Sequence, residues 1–207
     1  MVVCGHPCYT YRLGDLVTGY LKNSSYICQN WPTSVGCKFI KNGRKDLCTL
    51  IDQIQTPRYE FVIHLRLGDV LDWPYYNPAK TCGQKTCYYI NSYDFYKKFE
   101  IPPFIQNVTI VGNPSYRINN GKNVLSRQYV QKVFNILQQR NMTVQIVQHK
   151  NADIDIAIML HAHFFVPGKG GFSKIARQCA RHHSSYIFEQ NKWWKMPEKK
   201  TITWKFL

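Results

Sequence analysis

His64, Arg66 and Asp69 stand close together at the end of the apolar run Phe61-Val62-Ile63, with Gly68 between the last two. A guanidinium fork matches phosphate oxygens bidentately and can stabilise charge that grows on a leaving diphosphate. Arg66 is therefore a candidate phosphate ligand and catalytic cation; a structural ion pair with Asp69 is the plainer reading of the same residues. Asp69 and Asp72 are the carboxylates nearest to Arg66 and the candidates for a proton acceptor. His64 lies two residues before Arg66, on the same face of a strand, where it can hold the loop, touch a ligand or simply pack.

A second set follows the apolar run Phe164-Phe165-Val166, in Gly168-Lys169-Gly170-Gly171-Phe172-Ser173. Glycines leading into a helix let backbone N–H groups close on an anion at the helix N-terminus, and Ser173 can cap that helix as well as meet a ligand. The spacing differs from the G-x-x-x-x-G-K-[ST] phosphate loop. Asp153-Ile154-Asp155 is formally a D-x-D, but a metal-binding D-x-D should end a strand, and this one precedes an apolar helical segment, so no metal is expected. By itself Asp155 also reads as a helix N-terminal carboxylate.

Those residues need elements to position them. Apolar runs predict strands over 59–67, 107–112, 143–148, 164–166 and 186–189, and helical spacing predicts helices over 94–99, 125–140, 153–162 and 173–182. Alternating strands and helices imply right-handed crossovers and an α/β fold with a doubly wound, Rossmann-like parallel sheet. The residues from Arg66 to Asp69, Gly112-Asn113, those from Gln148 to Lys150 and the glycine-rich turn would then follow strands and share one edge, where open α/β sheets bind ligands. The expected organisation is a reduced N-terminal segment over 1–57, a Rossmann-like nucleotide-sugar-binding domain over 58–190 and an aromatic, basic C-terminal strap over 191–207.

The chain has 207 residues, 44% hydrophobic and 19% charged, and a formal charge of +15. That size holds one main domain. The charge invites phosphates, nucleic acid or an anionic membrane face, although the basic residues are scattered. No stretch approaches the length of a membrane span and no signal peptide is evident, so a soluble, cytoplasmic protein is expected. The eight cysteines form no C-x-x-C pair. Reduced structural thiols are expected, with Cys82 and Cys87 able to close a small loop in an oxidising compartment. The sequons at Asn23, Asn107 and Asn141 carry no weight, Asn107 standing at the start of a predicted core strand.

His64-x-Arg66-x-Gly68-Asp69 after a strand, then Asp155-Ile156-Ala157-Ile158-Met159, then Val166-Pro167-Gly168-Lys169-Gly170-Gly171-Phe172-Ser173, together resemble the GDP-fucose-dependent fucosyltransferases. Three short motifs occur in the family's order over about residues 58–190. The resemblance implies the donor-binding half of a GT-B glycosyltransferase that transfers fucose, or another 6-deoxyhexose, to a glycan with inversion and without metal or other cofactor. It implies that Arg66 binds the donor diphosphate, that Gly170, Gly171, Phe172 and Ser173 form the second phosphate-contacting segment, and that Asp155 contacts the nucleoside. His64, Gly68 and Asn113 are further donor-side candidates. Gly14, in the repeated tetrapeptide Arg12-Leu13-Gly14-Asp15, is a candidate for a remnant of the family's N-terminal glycine loop. A GDP-mannose or UDP-sugar transferase and a basic nucleic-acid-binding protein are the competing readings, the latter not favoured.

Overall fold

Phe61, Val62, Ile63 and His64 are all buried, so the strand they form, β1 (Phe61–His64), has no solvent face and sits in the middle of a sheet. The computed structural model describes residues 48–49, 51–72, 90–115, 123–149, 152–169, 171–180, 185–196 and 200–202. The remaining strands are β2 (Asn107–Val111), β3 (Thr143–Val147), β4 (Phe164–Val166), β5 (Tyr186–Glu189), β6 (Lys192–Lys195) and β7 (Lys200–Ile202). They make one sheet in the order β3-β2-β1-β4-β5-β6-β7. β1 to β5 run parallel, with Ile63 opposite Ile110 on one side and Val166 on the other, while β6 pairs antiparallel with β5 and with β7.

The helices are α1 (Asp69–Asp72), α2 (Tyr93–Lys98), α3 (Val124–Gln139), α4 (Ala152–His161) and α5 (Gly171–Ala180). Side chains alternate across a strand, and the sheet divides its apolar residues accordingly. Phe61, Ile63, Val108, Ile110, Phe164 and Val166 pack with residues of α2 and α3 in one core. Val62, Val111 and Phe165 pack with α4 and α5 in the other. The chain thus winds from β1 to β3 over one face, crosses back to β4 and continues over the opposite face. The α/β expectation holds at this level; the sheet is mixed, not wholly parallel.

α3 turns a six-residue buried stripe, Ser126, Tyr129, Val130, Val133, Ile136 and Leu137, onto the first core, and α4 is apolar on nearly every side because both faces are covered. The expected helix and strand boundaries between 94 and 189 agree to within one or two residues. Leu125, in the first turn of α3, is exposed, and so is Asn107 at the start of β2.

Two expectations need correction. The expected strap begins with β6 and β7, which extend the sheet: Trp193 is fully buried, its Nε1–H donates to Glu100 O at 2.9 Å, and its ring meets Phe61, Phe164 and Phe188 edge-on. Gln190 and Asn191 make the two-residue turn from β5, which let a Lys-Trp-Trp-Lys segment pair with a core strand. The reduced-thiol expectation also fails, because Cys48 and Cys179 are joined in a disulfide that ties the segment before β1 to α5. Cys82, Cys87, Asn23, Trp204 and nearly all of the expected N-terminal segment, Gly14 included, lie outside the described residues. Among the described residues, no helix is long and apolar enough to cross a membrane.

Candidate functional site

The strand order reverses direction between β1 and β4, and open α/β sheets bind ligands beyond the carboxyl ends of the strands at such a reversal. Leu65 and Leu67 stay buried beyond β1, which leaves Arg66 half-buried between them at that edge. Arg66 donates one Nη1–H to Leu67 O at 2.7 Å. The chain then turns at Gly68, whose φ of 74° lies in the left-handed region that glycine adopts without steric cost. The Gly68 N–H donates to the buried Ser126 Oγ at 2.8 Å, and Gly68 O accepts from Leu71 N and Asp72 N to start α1. The glycine of the first motif is therefore a backbone requirement.

Beside this loop, β4 leads through Pro167 and Gly168 towards α5. A Cβ on Gly168 would stand 2.6 Å from His64 O and 2.7 Å from His64 Nδ1, so only glycine fits where the two loops touch. Gly112, after β2, meets the same condition against Leu65 O at 2.8 Å. Ser173, in the first turn of α5, lies with its Oγ 2.5 Å from His64 Nδ1, and Phe172 packs its ring 5.4 Å from the imidazole. Burial, with the Arg66 guanidinium adding to it, pushes the His64 pKa down to about 3, so the imidazole is neutral at physiological pH. A neutral imidazole between a cation and a hydroxyl is a positioning element that links the two motifs.

Asn113 and Asp155 meet a different group of residues, at the carboxyl ends of β2 and β3. Asn113 Oδ1 accepts from Ser115 N at 2.9 Å and from Gln148 Nε2 at 3.1 Å. Asp155, in the first turn of α4, is buried, and its Oδ1 is 2.7 Å from His149 Nδ1. Burial raises its pKa to about 6, against the opposing pull of the His149 hydrogen bond. The four expected loops thus share one edge in two groups, His64, Arg66, Gly68, Phe172 and Ser173 at β1 and β4, and Asn113 and Asp155 at β2 and β3.

Asp72 has a structural occupation. Its Oδ1 accepts from Leu125 N at 2.7 Å and its Oδ2 from Ser126 N at 3.0 Å, which caps the N-terminus of α3 in place of Asn123, whose own side chain makes no cap bond. Asp69 begins α1 beside Gly68; its side chain and Gly170 lie outside what the structure describes. Asp153 and Asp155 sit within a helix and not at a strand end, and no group of three or more His, Cys, Asp or Glu side chains gathers among the described residues.

Sequence reading placed Gln148 to Lys150 at this edge without singling out His149, the residue that meets Asp155. It also missed a cavity of about 710 Å³ at the carboxyl ends of β4 and β5, walled by Gly168, Lys169, Arg177, Phe188, Glu189, the β5–β6 turn, and Phe95 of α2 with the two residues that precede that helix. Comparison of the chain with family models, curated proteins and solved structures gave no match.

Proposed function

We propose that the sheet edge at the carboxyl ends of β1 and β4 binds the diphosphate of a nucleotide-sugar, and that the chain is a glycosyltransferase transferring fucose or another 6-deoxyhexose from a GDP-linked donor to a glycan. The observation that carries this reading is the junction of the two motif loops at the reversal of strand order, made by His64, Gly168 and Ser173 with Arg66 alongside. The first turn of α5 begins at the same edge, so its backbone N–H groups and Arg66 are the groups offered to an anion there.

In the transfer, an acceptor hydroxyl oxygen bonds to the anomeric carbon as the bond from that carbon to the phosphate oxygen breaks. GDP leaves with the electron pair, its charge met by Arg66 and the α5 N-terminus, and the hydroxyl proton passes to a carboxylate, for which Asp69 is the candidate. Asp72 supports the loop through its hold on α3. Asp155 is the candidate nucleoside contact, and the reaction on this reading needs no metal.

Thermal stabilisation by GDP, UDP, ADP and CMP, with and without EDTA, on wild type and Arg66→Ala tests the reading. A GDP-selective, EDTA-insensitive rise in Tm that the variant loses supports it. No rise with any nucleotide refutes a self-sufficient donor site. The charge of +15 favours polyanion binding as the second reading, which predicts steeply salt-dependent RNA binding indifferent to Arg66→Ala.

A further inference from the structure

The β5–β6 turn has a feature that the fold does not require. Glu189 pairs with Lys192, and the two residues between them, Gln190 and Asn191, have φ of 53° and 60°. A two-residue turn with both φ values positive is met most cheaply by Asn-Gly or another pair containing glycine. Asparagine tolerates the left-handed region, whereas glutamine does not favour it, so a long side chain is kept at Gln190 against its backbone preference. Such an outlier points to a use for the side chain. Gln190 and Asn191 both line the cavity of about 710 Å³ described above.

The other walls have matching chemistry. Asn91 adds a third side-chain amide, and Glu189 and Arg177 form an ion pair at 3.3 Å. Phe95 and Phe188, edge-to-face at 5.8 Å, supply an apolar wall. Side-chain amides and a carboxylate beside a guanidinium offer donors and acceptors that suit vicinal hydroxyls, and an aromatic wall suits the C–H face of a pyranose ring. Charge in the wall is mixed, Lys169 standing with Arg177, whose Nε is 3.3 Å from the Glu189 carboxylate. The volume lies in the range of small-ligand sites.

We infer that this cavity is an oligosaccharide subsite that holds the acceptor glycan beside the donor. Gly168 and Lys169 belong both to the cavity wall and to the loop that meets His64, so a sugar bound here lies next to the diphosphate position. The acceptor role rests on the reading given under Proposed function; the sugar-binding chemistry of the cavity does not.

The test applies the full chain, wild type, Gln190→Gly and Asn91→Ala, to a printed array of neutral and acidic oligosaccharides, and measures Tm with and without GDP. Asn91→Ala keeps the backbone carbonyl that accepts the Tyr129 hydroxyl, so the core is undisturbed. Glycine at the turn should raise Tm by about 2–4 °C while array binding falls about tenfold or more, with the GDP-induced shift unchanged. Asn91→Ala should weaken array binding with the same GDP shift. Array binding that is absent in wild type, or unaltered in both variants, overturns the inference. So does loss of the GDP shift in Gln190→Gly, which would make the cavity part of the nucleotide site. Glycan binding that depends on Gln190 in a chain that responds to no nucleotide would leave the sugar subsite standing and refute the transferase reading.

Discussion

Ser173 Oγ lies 2.5 Å from His64 Nδ1, and the two side chains, 109 residues apart in the chain, meet because β1 and β4 are neighbours in the sheet. Both are buried, so neither can exchange the other for bulk water. Ser173→Ala leaves a buried imidazole nitrogen without this partner, and stability should fall by about 1–3 kcal/mol. Urea unfolding measures it; an unchanged midpoint would mean that the contact contributes nothing.

Gly168 is the steric condition for that meeting. Alanine there would press its methyl group against the His64 carbonyl and ring together, both held by the sheet. Gly168→Ala should destabilise by about 1–3 kcal/mol or more and should broaden or shift the His64 ring resonances. A variant with wild-type stability and spectrum would contradict the close approach of the two loops.

How much of this was legible in the sequence depended on how far each signal reached. β1, β2 and β4 are covered on both faces, so they appear as short apolar runs whose order alone yields the α/β class and the shared edge. Gly68 and Gly168 were visible as glycines, but their reasons were not: one needs a left-handed φ and the other lies against a strand about a hundred residues earlier. Asp72 read as a possible base because its true partners, the N–H groups of Leu125 and Ser126, stand more than fifty residues away. Lys-Trp-Trp-Lys in β6 alternates imperfectly and carries charge at both ends, so its place beside β5 emerged only from the turn that precedes it. Cysteine spacing held no trace of the pairing between Cys48 and Cys179.

That disulfide closes a loop of 131 residues around most of the described fold. Restricting the unfolded chain this way stabilises by about 2–5 kcal/mol in the chain-entropy picture. Replacing both cysteines by serine should therefore lower Tm markedly, and reductant should lower the Tm of wild type but not of the double variant. Peptide mapping under non-reducing conditions checks the pairing directly; a linkage of either cysteine to another partner would refute it.

The pH dependence of stability should show two buried groups working against each other. His64 takes its proton at about pH 3 when folded but near 6.5 when unfolded. Between those values the unfolded chain holds the extra proton, so acidification costs about 1.4 kcal/mol per pH unit. Asp155 has the opposite sign: its folded pKa of about 6 exceeds the ordinary 3.8, so in that interval the folded chain holds the extra proton and acidification stabilises. From about pH 4 to 6 the two slopes cancel. Asp155→Asn keeps an oxygen for the His149 hydrogen bond while removing the titration, so relative to wild type it should gain about 3 kcal/mol as pH rises across that window. His64→Gln should lose stability relative to wild type over the same rise. Urea unfolding of the three proteins at pH 4, 5 and 6 measures both trends, and parallel curves for wild type and Asp155→Asn would show that the Asp155 carboxyl titrates as it does in the unfolded chain.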